Sequence, residues 1–142
     1  MSCLHTKQEA AEDKAKSFES PLILGIVNIT EDSFSDGGRY LAADAAIAHA
    51  DLLAEGGADI IDLGAAASNV ASKEVAPQTE IERLAPVVEA LHAGGKKVSV
   101  DTFSTKVQSW ALSQNVAYLN DIQGFPDAKI YPELAESNAK LI

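Results

Sequence analysis

Four short segments of the chain end in side chains that can bind a polar ligand. Asn28 follows the first apolar run, Asp62 sits near the end of the second, Asp101 closes the third, and Asn120 with Asp121 closes the fourth. Each alone has an ordinary explanation, because Asp and Asn are common caps and turn formers. Four at corresponding places point to one shared site. Ionised carboxylates only accept hydrogen bonds, whereas amides donate and accept. The loop from Asn28 to Gly38 reads NITEDSFSDGG, rich in hydroxyls, carboxylates and an amide. Such a loop can close over a ligand and offer Mg²⁺ the hard oxygen donors it prefers.

The elements that position these residues alternate. Apolar runs Leu22 to Val27, Ile60 to Leu63, Val98 to Val100 and Ala117 to Leu119 are too short for helices. Their apolar residues are contiguous, as in parallel strands buried on both faces. A fifth run begins at Leu141. Between them, Ala43 to Glu55 carries an Ile47, Ala50, Ala54 stripe and stops at Gly56-Gly57. A second helix is expected from Thr79, with Glu82 completing a capping box, and Pro86 should kink or divide it. Ser104 is placed to cap a third helix, and Pro132 marks the first turn of a short fourth. The order β-α-β-α-β-α-β-α-β with right-handed crossovers gives a parallel sheet. An open doubly wound sheet and a (β/α)8 barrel cut short both fit. In either, the carboxyl ends of the strands share one face, where ligands bind.

The chain has 142 residues, 46% of them hydrophobic and 23% charged, which suits one globular domain. Residues 1–20 read as a polar extension and 21–142 as the domain. A net charge of −10 argues against nucleic acid and anionic membrane surfaces as partners. Phosphate remains possible, since loop amides or a metal hold it locally. A single cysteine, Cys3, allows no internal disulfide and fits a reducing cytoplasm. No apolar run approaches the ~20 residues of a membrane span. His5, His49 and His92 lack ligand spacing and read as surface residues; Trp110 and Tyr118 read as packing residues.

Gly25-Ile26-Val27-Asn28-Ile29-Thr30 followed by Asp32-Ser33-Phe34-Ser35-Asp36-Gly37-Gly38 closely resembles the first signature of dihydropteroate synthases. Gly57 to Gly64 (GADIIDLG), Ser99-Val100-Asp101-Thr102 and Asn120-Asp121-Ile122-Gln123-Gly124 resemble the three that follow. The first motif is highly specific; the others also occur loosely in related pterin-binding barrels. The resemblance implies an α/β fold, the first half of a (β/α)8 TIM barrel cut in the fifth strand.

It also implies a transferase of folate biosynthesis that joins a dihydropterin pyrophosphate to p-aminobenzoate, with Mg²⁺ as cofactor. Carried over by position, Asn28 helps hold Mg²⁺, Asp101 and Asn120 grip the pterin, and Ile26 and Ile122 wall its ring. Phe34 and Asp36 belong to the loop that closes over p-aminobenzoate. Ser68 stands where the family has a substrate-binding threonine, and Asn69 where it has an arginine. Asparagine cannot form a bidentate fork on phosphate. This Ser-Asn loop, with the stretch Asn120 to Asp127, resembles the sulfonamide-insensitive branch. A whole enzyme of this kind is expected to be a homodimer, and this chain alone is expected to be inactive. A methyl-tetrahydrofolate-dependent methyltransferase domain and a non-catalytic fragment are the alternatives.

Overall fold

The computed structural model describes residues 20–29, 38–66 and 75–142. Five parallel strands form one sheet: β1 (Leu24–Asn28), β2 (Ile60–Gly64), β3 (Val98–Asp101), β4 (Tyr118–Asn120) and β5 (Lys140–Leu141). Their spatial order is their chain order, each pairing with the next. A doubly wound sheet reverses its order at a switch point. There is no reversal here, so the order is that of consecutive strands in a singly wound (β/α) barrel.

Among the described residues, four α-helices connect the strands, α1 (Gly38–Glu55), α2 (Pro77–Ala93), α3 (Thr105–Ser113) and α4 (Tyr131–Glu136), the last preceded by a 3-10 turn at Ala128–Ile130. They share a core with one face of the sheet. Val27, Leu63, Val100 and Leu119 lie in one register row. All four are buried, packed in a cluster with Ala43, Ala46 and Ala50 of α1, Leu84, Val87, Val88 and Leu91 of α2, and Val107 and Ala111 of α3. The small residues on α1 let that helix sit close. Gly25 does the same from the strand: an added Cβ would lie 3.0 Å from Ala58 Cβ and Leu53 Cβ.

The other face corrects the expectation of strands that are apolar throughout. Because side chains alternate with period two, it carries Ile26, Asp62, Ser99, Tyr118 and Lys140 in one register row. Asn28, Gly64, Asp101 and Asn120 form the next row, toward the carboxyl ends. The polar residues were visible in the sequence, but each sits beside a residue that faces the helices, so the runs look continuous.

Three local expectations also change. α1 begins at Gly38, five residues before Ala43. α2 begins at Pro77 with Ala76 as its N-cap, so Thr79 and Glu82 lie inside the helix and make no capping box. Proline pre-set for a first turn overrides the weaker Thr-x-x-Glu signal. Pro86 does not divide α2, which runs unbroken to Ala93. The ring sits on the exposed side while Leu84, Val87 and Val88 are buried around it. That packing outweighs the one backbone hydrogen bond proline cannot make. Ser104 does precede α3, but its side chain makes no cap bond.

Candidate active site at the carboxyl ends of the strands

The register brings together residues far apart in sequence. Asn28 pairs with Gly64, Gly64 with Asp101, and Asp101 with Asn120. Gly64 has no side chain at the centre of that row, and the gap matters. A Cβ there would stand 3.3 Å from Asn28 Oδ1 and 3.9 Å from Asp101 Oδ2. Two hard oxygens therefore converge above Gly64, with space that any other residue would narrow.

One row below, Asp62 is 4% exposed. Its Oδ2 accepts a 3.1 Å hydrogen bond from Asn120 Nδ2. Its Oδ1 and the Oγ of neighbouring Ser99 are buried without a protein partner. Asp101 is half-buried close by. Burial, with the negative charges of Asp62 and Asp121 adding to it, pushes the Asp101 carboxyl up to about 6. Desolvation and like charge both disfavour its ionised form.

Glu80, in the first turn of α2, is buried beside this cluster. Its carboxyl is raised above the usual range, chiefly by burial, with the Asp101 charge contributing; a hydrogen bond from Thr102 and the Arg83 charge oppose the rise. Arg83 Nη1 donates to Ala65 O at 3.0 Å, tying α2 to the turn that follows β2.

Asp121 looks like a third mouth carboxylate in the sequence, but it organises the loop after β4. Its Oδ1 accepts from Gln123 N at 2.8 Å, and its Oδ2 accepts from Phe125 N at 3.1 Å and Gln108 Nε2 at 3.0 Å. Gln108 Nε2 also donates to Thr102 O, joining the loops after β3 and β4. Gly124 and Phe125 both adopt positive φ, 72° and 56°, to complete the tight turn. The result holds Ile122 at the loop tip, 83% exposed, while Phe125 is buried. Ile26 is 60% exposed on the inner face of β1. Apolar side chains this open suit a surface that another part of a barrel or a flat ring would cover.

Of the residues expected at the site, Asn28, Asp101 and Asn120 share one row, Ile26 lies one row below, and Ile122 stands on the adjoining loop. Phe34, Asp36 and Ser68, with Asn69, lie outside the described residues. The sequence reading missed Gly64, Glu80 and Gln108. Gly64 could have been found from the period-two spacing of Asp62-Gly64, Ser99-Asp101 and Tyr118-Asn120.

The comparisons with known proteins agree with this arrangement. The family model described as pterin binding enzyme matches residues 24–142. The chain belongs to the pterin-binding enzyme family. Among curated members it is similar to dihydropteroate synthase type-2 of Escherichia coli, 60% identical over 124 residues, covering 87% of this chain and 46% of that one. A solved dihydropteroate synthase from Anaplasma phagocytophilum, with bound 6-hydroxymethylpterin-monophosphate, matches with a TM-score of 0.75 at 40% identity. That match covers 84% of this chain and 47% of the other. The Xanthomonas albilineans enzyme with 4-aminobenzoic acid matches with a TM-score of 0.76 at 35% identity over 87% of this chain and 46% of that one. The chain thus spans about half the length of the relatives it matches, and its fold is part of their (β/α)8 barrel. Among the described residues, no helix is long and apolar enough to cross a membrane.

The family's inner barrel face makes the Asp101 shift testable. A carboxyl raised on folding holds its proton in the folded state after the unfolded chain has lost it. Stability from this group is therefore greatest below the ordinary aspartate value of ~3.9, and it is lost as pH rises toward about 6. Urea midpoints should fall across that window, and the fall should be shallower in Asp101→Asn. Parallel pH profiles for the two chains would remove Asp101 from this role.

Proposed function

We propose that this chain provides the pterin-gripping strands of a dihydropteroate synthase. The observation that carries the reading is the single row of Asn28, Gly64, Asp101 and Asn120 across four strand ends. The ionised Asp101 accepts from the amino and ring N–H donors of a pterin, and Asn120 supplies an amide beside it. Ile26 and Ile122 flank the ring. The two oxygens over Gly64 fit a hard cation. Asn28 would hold Mg²⁺, with Asp101 nearby, and the ion would neutralise charge on a departing pyrophosphate.

In the reaction, the bond between the pterin methylene carbon and the pyrophosphate oxygen breaks, and pyrophosphate leaves with the electron pair. The amine of p-aminobenzoate forms the new bond to carbon and then loses a proton. The Asp101 charge favours cationic character on the bound pterin as that bond breaks. By resemblance to the family's first signature, Phe34 and Asp36 are assigned to p-aminobenzoate, where exclusion of water would favour the step. Ser68 offers a hydroxyl on the loop after β2. With Asn69 in place of arginine, that loop supports a sulfonamide-insensitive enzyme, cytoplasmic and homodimeric when whole.

The test pairs binding with turnover. 6-Hydroxymethylpterin should bind to the chain, and this binding should weaken at least about tenfold when Asp101 is replaced by alanine. A coupled pyrophosphate-release assay with the 142-residue chain alone should give no dihydropteroate, because it spans only about half of a relative's length. Turnover that survives Asp101→Ala would sink the assignment.

A further inference from the structure

We infer that Asp62 is a positioning residue that fixes which way the Asn120 amide faces. The inference deepens the pterin-binding reading and rests on it for the identity of the ligand.

Asn120 and Asp62 are 58 residues apart, so no local turn accounts for their contact. Asp62 sits one row below Asn120 on the inner face, buried at 4% exposure. Its Oδ2 lies 3.1 Å from Asn120 Nδ2. A carboxylate offers only acceptors. With the amide turned over, Asn120 Oδ1 would face that oxygen, and two acceptors would be held in contact in a partly buried place. The contact therefore selects one of the two amide orientations. In that orientation Nδ2 is anchored and Oδ1 is free to accept from a ligand N–H, while the second Nδ2 hydrogen can serve a ring nitrogen. A fixed order of donor and acceptor is what distinguishes one heterocycle edge from another.

Asp62 touches no ligand in this account. It acts through Asn120, and that separates it from a residue that merely supports the strand. Three measurements on the full chain decide it. In NMR spectra of the wild type, the two Asn120 side-chain protons should be resolved, with one protected from exchange with water. Asp62→Ala should collapse that pattern. Asp62→Asn should restore it, since a rotated amide can still present its oxygen. Affinity for 6-hydroxymethylpterin should fall about 3- to 10-fold in Asp62→Ala, no more than the loss of Asn120 itself costs, and stay within about twofold in Asp62→Asn. In an Asn120→Ala background, Asp62→Ala should change affinity by less than about twofold, because the residue it orients is gone. An equal loss in both backgrounds would overturn the inference, as would an unchanged Asn120 signal in Asp62→Ala. If Asp62→Ala does not fold, the wild-type signals decide: freely exchanging, rotamer-averaged Asn120 protons count against it. A wild type that binds no pterin at millimolar concentration overturns the ligand reading, and the Asn120 signals still judge the amide orientation.

Discussion

Replacing Asp101 with alanine should weaken binding of 6-hydroxymethylpterin by about 10- to 150-fold, whereas Asn120→Ala should cost about 2- to 10-fold. Both residues stand in the same register row, so position does not separate them. Charge does. Hydrogen bonds to an ionised carboxylate contribute about 1.5–3 kcal/mol, against about 0.5–1.5 kcal/mol for neutral ones. The proton on Asp101 provides an internal control. Its carboxyl titrates near about 6, so the gap between the two variants should be wide at pH 7.5 and should narrow by pH 5. Isothermal titration at the two pH values reads both effects. A larger loss for Asn120→Ala at pH 7.5 would move the centre of recognition away from Asp101.

Asp121→Ala should destabilise the fold by roughly 3 kcal/mol or more. The buried carboxylate accepts from two backbone amides and the Gln108 side chain. Its removal strands three donors, and a tight turn with positive φ at Gly124 and Phe125 loses its anchor. Asp121→Asn keeps one acceptor and should fall between alanine and wild type. Urea denaturation measures the loss. The same variant should also lose pterin affinity through the loop that carries Ile122, a fall that Ile122→Ala alone would reproduce without the loss of stability. An Asp121→Ala chain as stable as wild type would show that the loop is held by other contacts.

These two carboxylates show how far the sequence reaches. The alternation of strand and helix was legible because short apolar runs and helical stripes are local patterns. Strand bounds came within about two residues, since Gly, Asp and Asn punctuate them. The signature around Asn28 identified the family because its residue types and order are specific. The expectation that Asn28, Asp62, Asp101 and Asn120 share a face also held, as parallel strands bring their carboxyl ends together.

The sequence by itself thus determined the order of elements, the family and the end of the sheet where the chemistry lies. Only the tertiary structure decided what each carboxylate does. Asp62, Asp101 and Asp121 look alike in the sequence, each an acid at or near a strand end. One accepts from the Asn120 amide, one faces the mouth with its proton affinity raised, and one turns into a loop. Register and burial set those differences. A side chain's partners depend on which strand lies beside it and on how much water it keeps, and both arise from contacts between residues tens of positions apart. Glu80 makes the same point from a helix. Nothing in its local sequence marks it out, but the packing of α2 against the sheet buries it beside Asp101, and desolvation raises its carboxyl.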